Sequence, residues 1–323
     1  MLHIVYYQRY DLNRRATMVA CVGESLIDIV NSRELVGGCP FNVALAASRL
    51  GAPVSYFGKV SSDRHGLMIL ERMIDNGVLF DPELCNAPEP TLCSKAVLDA
   101  DGKASYVFDY KGTAACSITE AELSQSFFNE GDINLVFFGS ISLVMEPGCK
   151  AIIEALEKME GNPAFFLDPN VRPSMISDPE SYRRMIFTLA RKSDLVRVSD
   201  EDLAFLCPDM DPDDAAQKLG RACKGALIVT RGAEGSSWLS RSFCVDCPAF
   251  IAGEVVDTIG CGDTFDGAVI AYLDRNALTG KIADLEKDTV LEILDYASKA
   301  AGLNCLFEGC DPPRRATGDE LAM

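Results

Sequence analysis

The sequence predicts an α/β fold: a mostly parallel central sheet with helices on both faces, and a small β-sheet lid beside it. Strand-length apolar runs alternate with helical stretches along most of the chain. A single hairpin signal breaks that rhythm, and neither a low-complexity linker nor an internal repeat divides the 323 residues. One α/β domain is the economical solution.

Taken in order, "MVACVG" reads as a buried first strand. Pro40 opens a helix that runs through Leu50, and Gly51 closes it, the usual placement of proline at the start and glycine after the end. "VSYFGKV" is a strand, and "DRHGLMILERMIDNG" a helix capped by Asp63 and stopped at Gly77. "TLCSKAVLDADGKASYVFDYKG" is a hairpin turning at Asp101-Gly102, a strong two-residue turn signal. "INLVFFG" is a strand, 147–159 a helix, "PAFFLD" a strand and "DPESYRRMIFTLARK" a helix. "DLVRV" is a strand followed by short helices from Asp200 to Cys223. "ALIVT", "SSWL" and "FCVDCP" are strands, and helices over 263–278 and 288–304 end the fold.

A net charge of -18 argues against nucleic acid or anionic membrane as a partner. No stretch is long and apolar enough to span a bilayer. The 13 cysteines are odd in number and many sit in apolar runs, which predicts reduced thiols in a cytoplasmic protein. Cys244 and Cys247 form a C-x-x-C that lacks a second ligand pair, so it reads as a strand-end pair rather than a zinc site. "MVACVGE" suggests Met18 as a natural start, with residues 1–17 a dispensable extension.

The stretch "DTIGCGDTFDGA", 257–268, carries the chemistry. It is a glycine turn running into an apolar helix, at the strand-to-helix position where open α/β sheets bind ligands. Gly260 and Gly262 free the backbone for close approach, and the amides of a helix start attract anionic oxygen. Asp263 stands next to them as a proton acceptor. An anion cradle beside a carboxylate suits phosphoryl transfer to a hydroxyl; the alternative is a capping aspartate in a packing turn. P-loop, Rossmann and G-x-S-x-G motifs are missing.

"DTIGCGDTFDG" and "GGCPFNVALAASRLGAPVSYFGKVSSDRHG" (37–66) resemble the two signatures of the PfkB, or ribokinase-like, family of sugar and nucleoside kinases, in the family's order. The resemblance runs from Val19 to Arg315. It implies a three-layer α/β/α sandwich over 18–315, lid strands drawn from about 24–36 and 91–112, ATP as co-substrate and Mg²⁺ as metal. It also implies pairing of lids into a homodimer. Asp263 matches the catalytic base, and Gly260, Cys261 and Gly262 match the anion hole, with Cys261 standing where alanine is common.

Further residues follow by the same resemblance. Asp28 in "GESLIDI" falls where relatives hold sugar hydroxyls, and Gly38 and Asn42 match a G-G-x-x-x-N that touches the sugar. Phe108 and Tyr110 are placed to cover it. In "DPNVRP", Arg172 is a candidate phosphate partner, or else a surface arginine paired with Asp168 or Asp178. Ser199 and Asp202 replace the family's N-x-x-E; Asp202 acts near Mg²⁺ through water or simply caps the next helix. Thr230, Gly232 and Gly235 resemble the T-x-G-x-x-G nucleotide turn, and Asn304 falls near adenine. Asp257 and Thr258 sit where many relatives bind a monovalent cation through carbonyls, which adds K⁺. The fructokinase-like branch matches best. Ketodeoxygluconate and ribose are alternative acceptors, with Lys95, Lys111 or Arg172 available for a substrate carboxylate. A sugar-binding sensor without turnover is the alternative of another class.

Overall fold

The computed structural model describes residues 17–30, 32–98, 104–316 and 321–322. The expected turn at Asp101-Gly102 and the segment 1–16 lie outside them.

Strand β1 (Met18–Val22) shows why the chain forms a two-sided sheet. Val19 and Cys21 point into one apolar cluster, while Ala20 and Val22 point into the other. Alternation of side chains across a strand feeds both layers from a single run of five residues. The same division recurs in β8 (Ile133–Gly139), where Leu135 and Phe137 face one cluster and Val136 and Phe138 the other.

The central sheet has nine strands in the order β13-β12-β11-β10-β9-β8-β1-β4-β5. These are β4 (Val54–Phe57), β5 (Leu79–Phe80), β9 (Ala164–Asp168), β10 (Leu195–Ser199), β11 (Ala226–Thr230), β12 (Ser236–Leu239) and β13 (Cys244–Cys247), with β1 and β8. Neighbours from β11 through β5 run parallel, and β12 and β13 close the edge antiparallel. In β13 Cys244 is exposed and Cys247 buried, so the C-x-x-C thiols occupy opposite faces. Among the described residues no cluster of His, Cys, Asp or Glu is placed to hold a metal.

Helices α1 (Cys39–Arg49), α8 (Cys261–Arg275) and α9 (Lys287–Asn304) cover one face, with α2 (Arg64–Asp75) at its edge. The other face carries α3 (Glu120–Glu130), α4 (Gly148–Glu157), α5 (Pro179–Ala190), α6 (Asp200–Leu206) and α7 (Pro212–Ala222). Asp63 caps α2 as expected, accepting from the Gly66 amide at 2.8 Å. Helix α3 was not expected, although Thr119 and Glu122 form a complete capping box that the sequence spells out. Helix α8 begins two residues before the expected Asp263 and ends at Arg275, where Ala277 turns to positive φ.

A separate four-stranded sheet is ordered β3-β2-β6-β7, from β2 (Leu26–Val30), β3 (Arg33–Gly37), β6 (Cys93–Leu98) and β7 (Ala104–Phe108). It is the expected lid. Leu26, Leu92, Ile141 and Met145, with Phe108 and Tyr110, form the apolar cluster beneath it. A short β14 (Arg314–Arg315) and β15 (Leu321–Ala322) pair completes the chain.

Candidate active site

Two helix starts meet at the carboxyl edge of the sheet. Helix α1 begins after Gly38, whose φ of 107° and close approach to the Glu24 carbonyl (a Cβ would lie 2.6 Å away) leave room only for glycine. This tight re-entry from the lid places Asn42 in the first turns of α1. Asn42 Nδ2 donates to Asp263 Oδ2 at 2.8 Å, between residues 221 positions apart. Its Oδ1 is buried and has no hydrogen-bond partner among the described residues.

One helical turn further along both helices, Gly267 packs on Ala46. A Cβ on Gly267 would lie 2.5 Å from Ala46 Cβ and 2.8 Å from the Ala47 nitrogen. Gly267 is four residues beyond Asp263, and Ala46 four beyond Asn42, so each pair lies on one face of its helix. The bare glycine contact therefore brings the two helices close enough for the polar pair above it to bond.

Asp263 is buried while Gly260, Cys261 and Gly262 remain partly exposed. Burial raises its carboxyl above the ordinary carboxylate value; the Asn42 and Cys39 hydrogen bonds and the positive charges of Arg172 and Arg197 pull it partway back. The left-handed Gly260 (φ 73°) starts α8, where a Cβ would strike Cys310 at 2.5 Å. The amides of Gly260, Gly262 and Asp263 meet no acceptor among the described residues. That of Cys261, within the expected Gly260–Gly262 trio, donates to the Thr258 carbonyl at 3.2 Å. Gly262 leaves space for the Arg197 head, whose Nη2 would lie 2.9 Å from a Cβ.

Arg197 is a centre that sequence reading missed. It is a buried charge inside strand β10, donating to Asp168 Oδ2 at 3.0 Å and to Thr230 Oγ1 at 2.7 Å. Asp266, also buried, has its carboxyl held well above the ordinary value by burial and by the neighbouring Asp168 carboxylate. The available signals were an arginine within the apolar "DLVRV" and a second acid three residues after Asp263. Asp168 is thus the partner of Arg197 and not of Arg172. Arg172 donates to the Asn170 side-chain oxygen at 2.6 Å, and its charge acts on both Asp28 and Asp263.

Asp28 lies in the lid strand β2, half-buried, opposite Ser94 in register. The Ser94 hydroxyl donates to Asp28 Oδ1. Gly37 sits over its other oxygen, where a Cβ would come within 2.5 Å. Phe108 and Tyr110 pack into the apolar cluster under the lid.

Along the nucleotide-like segment, Ser199 and Thr230 are register partners at the ends of β10 and β11. Ser199 and Asp202 form a capping box on α6, and Asp202 accepts from the Val171 amide at 2.7 Å and the Ser199 amide at 2.9 Å. Both of its oxygens therefore serve the backbone, which fits the capping alternative. Gly232 (φ 51°) faces open space, whereas Gly235 (φ 96°) is packed against the Cys247 carbonyl. Asn304 binds the protein's own loops, next to Ile259. Its Nδ2 donates to the Ile259 carbonyl at 2.9 Å, and its Oδ1 accepts from Thr264 and from the Asp311 amide, so it ties the loops before and after it. The Asp257 carboxylate accepts from the Ile259 and Gly309 amides, and Thr258 offers the carbonyl that holds Cys261.

Comparison with known proteins places the chain among sugar kinases. The chain is 35% identical over 286 residues to a fructokinase of Rhizobium leguminosarum bv. trifolii, covering 84% of this chain and 85% of that protein. A double mutant of Vibrio cholerae O395 fructokinase, bound to fructose, ADP and potassium, superposes with a TM-score of 0.75 at 22% identity over 91% of this chain and 94% of that one. Aminoimidazole riboside kinase of Salmonella enterica, bound to its riboside and an ATP analogue, gives 0.76 at 21% identity over 91% and 95%. The model of the pfkB family of carbohydrate kinases matches residues 10–316, and the chain belongs to that family.

Proposed function

We propose that this carbohydrate kinase is an ATP-dependent fructokinase, with Asp263 as the base and the amides of Gly260, Gly262 and Asp263 as the anion cradle. The observation that carries the reading is the buried Asp263, held by Asn42 beside amides that meet no acceptor among the described residues. A sugar hydroxyl that reaches Asp263 gives up its proton as its oxygen bonds to the γ-phosphorus of ATP. The bond to the leaving ADP breaks, and the cradle amides stabilise charge on the transferring oxygens. The orphaned Asn42 Oδ1 is an acceptor for a second sugar hydroxyl. Asp28 accepts from others, and Arg172 neutralises the charge gathered between the two carboxylates.

ATP is supported by the exposed apolar strip of Val255, Val256, Ile259 and Phe307, which borders the cradle and gives a base a surface. Mg²⁺ would accompany the nucleotide phosphates; Asp202, whose two oxygens each accept a backbone amide, would act on it through water. The Asp257–Thr258 backbone is the proposed K⁺ segment. The free state of all 13 cysteines supports a reducing, cytoplasmic setting. The reading includes pairing of the four-stranded lid sheet with that of a second copy into a homodimer.

The test is coupled ADP release with fructose, ketodeoxygluconate, ribose and adenosine at equal concentration. The highest kcat/KM is expected with fructose. A higher value with another acceptor overturns fructose alone. Thermal stabilisation by sugar without turnover on any acceptor overturns the kinase mechanism in favour of a sensor.

A further inference from the structure

Two thiols meet at the cradle. Cys261 is the first residue of α8 and Cys305 caps the end of α9, and their sulfurs are 2.9 Å apart. Both are partly exposed, unlike the buried thiols of Cys21, Cys39 and Cys149. A disulfide has its sulfurs about 2.05 Å apart, so bonding asks for a closure of roughly 1 Å. The surroundings hold the pair in register. Asn304 Nδ2 donates to Cys261 Sγ at 3.4 Å and to the Ile259 carbonyl at 2.9 Å, while the Val256 amide donates to the Cys305 carbonyl at 2.8 Å. Cys310 packs on the other side, against Gly260.

We propose that Cys261 and Cys305 are an oxidisable dithiol whose intramolecular disulfide reversibly lowers phosphoryl transfer. The oxidant is hydrogen peroxide. Cys305 sulfur attacks one peroxide oxygen, the O–O bond breaks, and a sulfenic acid forms on Cys305 with release of one water. Cys261 sulfur then attacks that sulfenic sulfur. The S–S bond forms, the S–O bond breaks, and hydroxide leaves with the Cys261 proton as a second water. Two thiols lose two electrons, and one peroxide becomes two waters. A dithiol reductant reverses the change by thiol–disulfide exchange. Burial, with the hydrogen bond to Cys305, pushes the Cys261 thiol up to about 12, so Cys261 serves as the resolving thiol.

The bond would draw the first turn of α8 toward α9 and shift the Gly260–Asp263 backbone. A displacement near 1 Å at a reacting centre costs about tenfold to hundredfold in rate. That effect on turnover rests on the cradle assignment above, whereas formation of the bond does not.

The experiment uses the full chain, reduced, desalted, and treated with hydrogen peroxide. Chymotryptic peptides are then mapped without reduction, with cleavage at Phe307 separating Cys305 from Cys310. A Cys261–Cys305 link is expected, with fructose-dependent ADP release lowered about tenfold or more and restored by dithiothreitol. Cys305→Ser should keep its basal turnover and resist peroxide. A link to Cys310, or no link after complete loss of titratable surface thiols, overturns the site. Unchanged turnover in protein mapped as linked overturns the switch, and so does equal peroxide sensitivity in Cys305→Ser. The map reads the bond even if fructose is the wrong acceptor; in that case turnover is followed with the preferred sugar.

Discussion

Replacing Asp263 by asparagine separates the chemistry of the site from its architecture. The side chain is buried, and one of its oxygens accepts from Asn42 Nδ2 at 2.8 Å. Asparagine retains an oxygen for that bond and nearly the same volume, so α1 and α8 should stay in place. It also removes a buried carboxyl that the fold holds above its ordinary value, so unfolding stability should not fall. What disappears is the capacity to accept a proton from the sugar hydroxyl. General-base contributions of about 10²–10⁴-fold correspond to about 3–5 kcal/mol of transition-state stabilisation. Coupled ADP release should therefore show kcat reduced by about that factor, with the thermal shift on adding ATP preserved. The parent enzyme should lose activity as pH falls, because protonation blocks the base, and burial moves that limb above the ordinary carboxylate range. An asparagine variant within threefold of the parent, about 0.7 kcal/mol, would place the base elsewhere.

Arg197→Met leaves the fully buried Asp168 and its neighbour Asp266 without their counterion, and should cost about 3–5 kcal/mol in urea unfolding; a loss under about 1 kcal/mol would mean the acids settle by sharing a proton. Glu24, buried between the two chain crossings to the lid, accepts from the Cys39 and Ser142 amides, yet burial raises its carboxyl from 4.5 to about 7. The folded state holds this proton more tightly than the unfolded one, so its contribution is fully present below pH 4.5 and is lost as pH rises through about 7. Glu24→Gln should flatten the fall in stability between pH 5 and 8 by an amount on the order of 3 kcal/mol, measured as denaturant midpoints; an unaltered slope would assign the pH dependence to other groups.

The layered fold was legible because the strands advertise themselves. Runs such as "ALIVT" are too short for helices and apolar throughout, and only a sheet covered on both faces uses such a run fully. The local geometry was legible around "GCGD", since a glycine turn, a helix start and an acid form a local unit. What stayed hidden depends on distant pairing. Nothing near Asn42 signals that its amide meets Asp263 across the fold. Arg197 was hidden in a strand that reads as core, because its counterions come from β9 and α8. The bonds of Asn304 were hidden for the same reason: its position in the last helix was legible, but not that its amide and carbonyl close onto the protein's own loops. Helix α3 was the avoidable omission, since Thr119 and Glu122 carry its start within four residues.

The Gly267–Ala46 contact works as a spacer of fixed gauge. It has no chemistry of its own, yet the polar pair one turn above inherits its separation. Sites 46, 47 and 267 should therefore yield a distinct class of damaged proteins: soluble, cooperatively folded, and idle, because a methyl group wedged between two cylinders has prised the working ends apart.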